Sequence, residues 1–464
     1  MLGRQRDLDR VRDGLTSWLS RRTPGGRDLR ISALQAPKAG VSNETLLFDA
    51  EYHDGKTARR EHLVARLEPH DFLVFPEYDL DRQYDVIARL DGSGVPVPRL
   101  RGLERDPGVL GSAFYVMDAV DGEVPSEVPS YHLFGWVHDA SPARRASIWW
   151  NGLEVLARVH ALDWRALGLG FLGEPGPGRA AVDRQLDYWE RFLALVRADG
   201  PPQPTLDAAL AWLRANAFAP RRVTLCWGDS RLPNLMFRDD RVVAVLDWEM
   251  AFLGDPEADL AWWCFLDWAN NEGYGGPHLD GIPGKEETLA RYAEITGHPV
   301  EHAHWNEVFA ALRYGVVLAR VALRMRAIGA SLPSADWEVN NVCTQALARL
   351  LDLPPPGEEH LTSSLAHREA GSPVRLQFRL SGAGGGDWYV LVRGDTGTRH
   401  PGVVDEPDAT LEADVEDWRA VQAGELDRLQ AFMDGKLRIS GDVTLFMVHE
   451  MLITQLSQQP ARET

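Results

Sequence analysis

The N-terminal part of the chain changes from a helical to a strand-like pattern of hydrophobic residues. Leu8, Val11, Leu15 and Leu19 recur at helical spacing, which predicts a helix that stops at the Thr-Pro-Gly-Gly segment 23–26. From about residue 31 to residue 67 the pattern becomes strand-like. Two apolar runs flank a polar His-Asp-Gly turn there, which predicts a β-hairpin.

Helical patterns dominate the middle of the chain. A short helix with apolar residues at 84, 87 and 90 and a short strand at 114–117 precede two long amphipathic segments, 142–160 and about 305–328. Between these lies a compact patch of strands and tight turns, from residue 223 to residue 259. The order predicts a small β-rich lobe followed by a larger helical lobe.

A Pro-Pro-Pro-Gly-Glu-Glu segment at 354–359 breaks the helical region and is typical of a linker. Strands alternate beyond it at 374–378 and 388–392, and helical segments follow at about 418–423 and 443–456. We therefore predict an α+β chain with four parts: an N-terminal helix and β-rich lobe (1–122), a helical lobe (123–353), a linker (354–363) and a separate α+β domain (364–464).

Composition narrows the class of protein. A length of 464 residues suggests about three domains. The net charge of −19 disfavours nucleic acid as the main ligand, since an acidic surface repels phosphate backbones. Three cysteines do not form a disulfide framework, and no apolar run is long enough for a membrane span or a signal peptide. We expect a cytoplasmic protein.

The sharpest chemical signal is an aspartate, Asp229, followed five residues later by Asn234 and then by a strand that delivers Asp247. Phosphoryl transfer needs a carboxylate near the attacking hydroxyl and hard oxygen ligands for magnesium. These three residues supply both. Each piece alone is ordinary turn material, but their order and spacing, with Asp259 following, are specific.

At these residues the chain resembles the aminoglycoside/choline kinase-like phosphotransferase family, and most closely its branch that occurs fused to acyl-CoA dehydrogenases. The resemblance covers about residues 30–350. It implies a bilobal protein-kinase-like fold, with Asp229 as catalytic base, Asn234 and Asp247 as ligands of Mg²⁺, and Asp259 as a structural brace. The family usually has His where this chain has Trp227.

The resemblance also implies a nucleotide site in the β-rich lobe, binding ATP, with GTP left open. Ser42 and Asn43 lie in a turn like the one that covers the phosphates, and Arg66 stands where kinases carry a phosphate-gripping lysine. Met117 and Ala119 lie in a segment like the hinge that meets adenine.

A third position, besides Trp227 and Arg66, departs from the kinase pattern. The helix glutamate that pairs with the kinase lysine corresponds here to Gln83, whose neutral amide supplies no countercharge to Arg66; Glu77 is a candidate substitute. His160 ends a helix with a signature of the same branch, and we interpret it as a packing residue.

The C-terminal domain resembles the sterol-carrier-protein-2-like lipid-binding domain through its Phe-Met-Asp-Gly-Lys-Leu-Arg-Ile-Ser-Gly-Asp segment at 432–442. That resemblance implies an apolar tunnel for a lipid or acyl ligand. The same fold packed solid and serving in a homodimer is left open, because an apolar core and an apolar tunnel look alike in sequence.

Three functions follow from these observations. The first is an ATP-dependent kinase acting on a hydroxyl of a small molecule with an apolar or acyl body. The second is a catalytically weak, pseudokinase-type lipid or acyl carrier, suggested by Trp227, Arg66 and Gln83. The third is an aminoglycoside or macrolide antibiotic kinase, because the acidic charge of the chain would suit a cationic substrate.

Overall fold

The computed structural model describes residues 7–23, 25–35, 44–69, 74–76, 78–127, 129–327, 332–356, 373–393 and 396–422, together with 426, 431, 436–441, 445, 446 and 453. The chain divides into two compact units. The first unit comprises Met1–Leu195, Leu206–Glu272 and Pro277–Tyr314, and the second comprises Val196–Thr205, Gly273–Gly276 and Gly315–Thr464. The domain boundaries predicted above stay predictions.

The first unit opens with a helix and an antiparallel five-stranded sheet of order β1-β2-β3-β5-β4. The elements of this lobe are α1 (Leu8–Arg22), β1 (Gly26–Ile31), β2 (Glu44–Asp54), β3 (Thr57–Leu67), α2 (Leu80–Leu90), β4 (Leu100–Glu104), α3 (Pro107–Leu110) and β5 (Phe114–Asp118). The apolar stripe of α1 buries Leu15 and Trp18 in one core with Phe114 of β5. The predicted N-terminal helix and the hairpin of β2 and β3 are confirmed.

The following elements are mostly helical. They are α4 (Pro142–His160), α5 (Ala180–Asp199), α6 (Pro204–Ala215), β6 (Thr224–Cys226), β7 (Leu235–Arg238), β8 (Arg241–Val245), β9 (Phe252–Gly254), α7 (Glu257–Ala269), α8 (Lys285–Thr296) and α9 (Ala303–Ala327). The predicted helices at 142–160 and 305–328 are confirmed as α4 and α9. Helix α4 begins where the sequence signals it: Ser141 caps the Arg144 amide and Pro142 occupies the first turn.

The predicted patch of strands in the middle of the chain is two small antiparallel pairs, β6 with β9 and β7 with β8. A large core lies beneath them, in which Leu225, Leu235 and Val245 from three of these strands are fully buried. This core fixes the loops that leave β6 and β8, and those loops carry the predicted catalytic and metal-binding residues.

The second unit contains a five-stranded sheet of order β12-β11-β10-β13-β14, in which β10 and β13 are parallel and the other pairs antiparallel. Its elements include α10 (Val342–Leu350), β10 (Val374–Ser381), β11 (Gly386–Arg393), β12 (Thr396–Pro401), β13 (Ala409–Asp414), α11 (Val415–Gln422) and β14 (Leu437–Gly441). Phe378 and Trp388 stack face to face at 3.8 Å in its core, with Trp418 and Phe446 beside Phe378. The α+β class is confirmed.

Some predictions lie outside the described residues: part of the linker (357–363), and most of the last predicted helix. No helix among the residues that the structure describes is long and apolar enough to cross a membrane.

Candidate active site

The Asp229 loop leaves β6 through a glycine that no other residue could replace without strain. Gly228 has φ +91°, and a Cβ built on it would lie 2.1 Å from the backbone oxygen of Met250. The left-handed backbone and the lack of space together require glycine. The chain therefore turns sharply after Trp227 and presents Asp229 beside the loop that follows β8.

The Asp229 carboxylate is held by three N–H donors. Oδ1 accepts from the indole of Trp262 at 2.9 Å, and Oδ2 accepts from Asn234 Nδ2 at 2.6 Å and from Arg231 Nε at 3.0 Å. A carboxylate has about four lone-pair positions, so one position is left for a further donor. The side chain is 13% exposed, which gives it access to a ligand.

Asn234 and Asp247 are brought together by the backbone. The amide of Leu246, the residue before Asp247, donates to the carbonyl oxygen of Asn234 at 2.9 Å. Because both hydrogen bonds from the Asn234 side chain use its Nδ2, the amide oxygen points away from Asp229. An amide oxygen next to a carboxylate is a hard donor set that fits Mg²⁺.

Trp227, which replaces the usual family histidine, links the two loops of the site. Its Nε1 donates to the carbonyl oxygens of Leu246 and Asp247, at 2.8 and 3.1 Å. Asp247 has φ +55°, a left-handed conformation that is uncommon outside glycine and costs free energy unless its surroundings hold it. The indole thus ties the loop before Asp229 to the backbone that aims Asp247.

Asp259, at the start of α7, braces the Asp229 loop from beneath. Its two carboxylate oxygens accept from the amides of Trp227 and Gly228 at 2.6 and 2.9 Å, and its backbone oxygen accepts from Ser230 Oγ. His160 joins this network: its Nε2 lies 3.1 Å from Asp259 Oδ2, and its Nδ1 lies 2.6 Å from the Tyr292 hydroxyl. These contacts agree with the structural interpretation of both residues.

His160, Asp259 and Cys226 are also close enough together for a metal ion. Both nitrogens of His160 and both oxygens of Asp259 already have hydrogen-bond partners. Burial, reinforced by the charges of Asp259 and Asp255, raises the pKa of the Cys226 thiol well above its ordinary value, so the sulfur stays protonated. We interpret this group as part of the core.

Arg66 of β3 reaches across from the sheet to Asp247. Its Nη2 lies 2.6 Å from Asp247 Oδ1, and its Nε is buried without a partner among the described residues. Burial opposes both charges, but the attraction outweighs it: the pKa of Asp247 is lowered and that of Arg66 is raised. The sheet and the helical lobe thus meet through this ion pair.

Gln83, at the position that kinases use to pair with the phosphate-gripping lysine, has another partner. Gln83 is buried on α2 and hydrogen-bonds the Tyr78 side chain, whereas Arg66 pairs with Asp247. Arg66 thus takes its countercharge from Asp247, because a carboxylate attracts a buried guanidinium more strongly than an amide does. Glu77 lies outside the described residues.

The predicted adenine-contacting segment lies at the end of β5. Met117 pairs with Val64 of β3 and is almost completely buried. The amide of Ala119 already donates to the His62 carbonyl at 2.9 Å. A backbone hydrogen bond from Ala119 to adenine would therefore use the carbonyl oxygen of Ala119. Ser42 and Asn43 lie outside the described residues, and their role stays a prediction.

Comparison with known proteins agrees with this geometry. A model of the "Phosphotransferase enzyme family" matches residues 34–308, which is more than half of the chain. The chain belongs to this phosphotransferase family. A second model, of the "SCP-2 sterol transfer family", matches residues 359–454, so the chain also carries a C-terminal SCP-2 domain.

The family's curated relatives include much longer proteins. The chain is 31% identical to human acyl-CoA dehydrogenase family member 11 over 293 residues, which is 59% of this chain and 36% of that protein. It is 28% identical to mouse acyl-CoA dehydrogenase family member 10 over 298 residues, 62% of this chain and 27% of that one. The chain thus spans about a third of the length of these relatives.

A solved structure supports the same fold. A Ralstonia eutropha protein, provisionally assigned as an aminoglycoside phosphotransferase, is 27% identical and matches with a TM-score of 0.55. The match covers 73% of this chain and 96% of that one. The predicted bilobal kinase-like fold, with a small antiparallel β lobe and a larger helical lobe, is confirmed.

Sequence reasoning missed three side chains of this phosphotransferase site. Trp262 and Arg231 bind Asp229 directly, and Arg313 of α9 donates to the backbone oxygen of Gly228. Arg231, two residues after Asp229, was within reach of a spacing argument. Trp262 and Arg313 come from distant helices and carry no local signal.

Arg313 is fully buried among aromatic rings, and its guanidinium lies 4.2 Å from the ring centre of Trp262. Burial lowers the pKa of Arg313 to about 10, although the charges of Asp259 and Asp229 oppose that shift. Even so, Arg313 remains a cation at neutral pH. It fixes the ring that donates to Asp229.

Proposed function

We propose that this phosphotransferase transfers the γ-phosphoryl group of ATP, with magnesium, to a hydroxyl of a small molecule that has an apolar or acyl body. One observation carries the proposal: Asp229, with one acceptor position left, hydrogen-bonds Asn234 and pairs with Arg231, whose charge together with that of Arg66 lowers the pKa of nearby Asp247. That is a hydroxyl-orienting carboxylate next to hard metal ligands and phosphate-binding cations.

In this mechanism Asp229 accepts the proton of the acceptor hydroxyl or orients that hydroxyl toward phosphorus. Trp262, Asn234 and Arg231 hold the carboxylate at one angle, which supports in-line attack because positioning is a large part of catalysis of phosphoryl transfer. The Arg231 guanidinium adds a positive charge near the transferred group. Its pKa is raised because the carboxylates of Asp229 and Glu127 outweigh the effect of burial.

Asn234 and Asp247 would hold Mg²⁺, which when bound neutralises charge on the β- and γ-phosphates. Arg66, which pairs with Asp247 here, would bridge phosphate oxygens of the bound nucleotide. Membership of the phosphotransferase family supports a phosphoryl donor, which we take to be ATP, and GTP is left open.

The carrier hypothesis rests on Trp227, Arg66 and Gln83. The hydrogen bonds of Trp227 to Leu246 and Asp247 argue against it, because the indole itself links the two site loops. The ion pair of Arg66 with Asp247 also gives the arginine a countercharge that does not depend on Gln83.

The acceptor's apolar body is inferred from the SCP-2 domain. A family of sterol transfer proteins supports a lipid or acyl ligand in that domain, and the acyl-CoA dehydrogenase relatives point to acyl chemistry as well. An antibiotic acceptor is the less supported alternative, because neither of these features favours it.

The test of the proposal is Asp229→Asn. We expect turnover with Mg-ATP and hydroxylated lipid or CoA-ester acceptors, read by mass spectrometry, to fall by roughly two to four orders of magnitude, since an amide is no base. The matched control is Asp239→Asn, the same chemical change in an exposed turn, which we expect to keep wild-type turnover. Near-normal turnover of Asp229→Asn would contradict the role of Asp229.

A further inference from the structure

A cleft opens next to the Asp229 loop, entirely within the first unit. It has an empty volume of about 350 Å³, its open mouth included. One face of α7 lines it, because Trp263, Leu266, Asp267 and Asn270 are spaced three, four and seven residues apart. Arg231 of the Asp229 loop lines it from the other side.

Trp263 lines this cleft and has an unused hydrogen-bond donor. The residue is 1% exposed, yet its Nε1 has no hydrogen-bond partner among the described residues. A buried N–H without a hydrogen-bond partner destabilises the fold, so its position calls for a partner. Gly152 leaves room for this ring, since a Cβ there would lie 2.6 Å from it.

Asp267 brings an acceptor to the same cleft. Its Oδ1 receives the Tyr131 hydroxyl and lies 2.8 Å from His132 Nε2. His132 Nδ1 accepts the amide of Leu279, so the ring proton sits on Nε2 and is donated to Asp267. Within the described part of the chain both contacts use Oδ1, and the second carboxylate oxygen keeps its capacity to accept.

The donors around Asp267 are themselves fixed. Burial raises the pKa of Tyr131 well above its ordinary value, and the charge of Asp267 raises it further, so the phenol stays protonated. Tyr131 and His132 also stack, at 4.7 Å between ring centres. Asp267 is therefore a preoriented carboxylate that is 11% exposed.

The cleft connects directly to the reacting group. Arg231 donates to Asp229 with its Nε and forms an ion pair with Glu127, another lining residue, through its Nη1. Arg231 thus contacts Asp229 and also lines the cleft, so a molecule that fills the cleft is separated from Asp229 by a single side chain. With two carboxylates and one guanidinium among these lining residues, the cleft repels a ligand carboxylate.

We propose that this cleft binds the acceptor through a second, uncharged hydroxyl, which accepts from Trp263 Nε1 and donates to Asp267. A hydroxyl is the simplest group that does both at once. That the ligand is the phosphoryl acceptor rests on the function proposed above. The substrate class is then an apolar molecule with at least two hydroxyl groups, one phosphorylated and one held in the cleft.

The test is a binding experiment on the full chain without nucleotide, which separates it from turnover. Indole N–H resonances of the ¹⁵N-tryptophan-labelled protein are followed during titration with hexane-1,2-diol, hexane-1,3-diol, 1-hexanol and 6-hydroxyhexanoate. Trp263→Phe identifies the Trp263 signal. We expect saturable shifts of that signal with at least one diol, and about fivefold weaker binding of 1-hexanol, as one hydrogen bond predicts.

The matched control is Trp149→Phe. Trp149 also lines the cleft, but its Nε1 already donates to Thr288 Oγ1 at 3.0 Å, so the change removes similar ring area and no ligand bond. We expect diol affinity to fall about fivefold in Trp263→Phe and less in Trp149→Phe. Equal losses in the two variants would overturn the role of the Trp263 N–H.

Two other results would overturn the inference. Equal affinity of the diols and 1-hexanol would show that no second hydroxyl is bound, and tighter binding of 6-hydroxyhexanoate would show that the cleft selects an acid. Either result leaves the phosphotransferase function intact, because that is tested by Asp229→Asn turnover. Conversely, diol binding with normal Asp229→Asn turnover would overturn the proposed function and keep the cleft.

Discussion

At the scale of single residues, three tryptophans supply indole N–H groups in and around this site. Trp227 ties the two site loops together, Trp262 donates to Asp229, and Trp263 faces the cleft. An indole has one N–H donor and never changes its charge. These contacts are therefore insensitive to pH, whereas a histidine in the place of Trp227 would titrate near neutrality.

Trp262→Phe tests the donor to Asp229. We expect kcat to fall roughly 10- to 100-fold, because a hydrogen bond to a charged group contributes about 1.5–3 kcal/mol, while KM for ATP changes little. Steady-state kinetics that separate kcat from KM check this. The control is Trp248→Phe, whose buried indole donates only to the Val245 carbonyl among the described residues. An unchanged kcat in Trp262→Phe would show that the donor does not position Asp229.

At the scale of elements, α7 builds most of the site. Asp259 braces the Asp229 loop, Trp262 binds Asp229, and the face with Trp263 and Asp267 lines the cleft. Two carboxylates are buried close together at the start of α7. Asp255 and Glu257 are both buried, and they are held by Asn306 Nδ2 and by the amides of residues 301 and 302.

Asp255 should make stability depend on pH. Burial, and next the charge of Glu257, raises the pKa of Asp255 to about 7 from an ordinary value of 3.8. Between these two values the folded chain binds a proton that the unfolded chain has lost, so the free energy of unfolding decreases as pH rises through this range.

Asp255→Asn removes that penalty and keeps an oxygen for Asn306. We expect the variant to gain stability over the wild type as pH rises from 5 to 8, by about 2–4 kcal/mol at the upper end. Urea midpoints measured at each pH check this, with Asp239→Asn as the exposed control. Parallel curves for wild type and Asp255→Asn would mean that Asp255 is ionised throughout.

At the scale of the whole molecule, a phosphotransferase fold is joined to an SCP-2 domain within a chain of net charge −19. That charge opposes a nucleotide, so binding relies on local cations. Arg66 and Arg231 supply them, and each is already paired with a carboxylate of the site. Magnesium would compensate the charge of Asp247 when Arg66 turns to the phosphates.

Nucleotide binding therefore should stabilise the chain only together with magnesium. We expect Mg-ATP at 100 times its Kd to add about 2.7 kcal/mol to the free energy of unfolding, seen as a rise in Tm. ATP with EDTA, and Mg-ATP with Asp247→Asn, should give much smaller shifts, and a parallel Mg-GTP series compares the two nucleotides. No stabilisation at millimolar Mg-ATP would favour the carrier hypothesis.

The sequence by itself determined the parts of this protein whose signals are local. Helix α4 has a cap, a proline and an apolar stripe in one segment, and Asp229, Asn234 and Asp247 fall in 19 consecutive residues. Strands β1 and β4 were missed because each is half-exposed and rich in arginine and glycine, so neither shows a clear alternation. Their backbone hydrogen bonds to β2 and β5 make them strands although their own sequence pattern does not predict it.

Only the tertiary structure decided which residues meet. Arg66 and Asp247 are 181 positions apart, and Trp262 reaches Asp229 from another helix. A spacing rule transferred from kinases assigned Gln83 to Arg66, but a buried guanidinium takes the strongest countercharge within reach, and that is set by packing between the sheet and the helical lobe. The sequence therefore predicted which chemical groups belong to the candidate site, and the tertiary packing determined which of them contact one another.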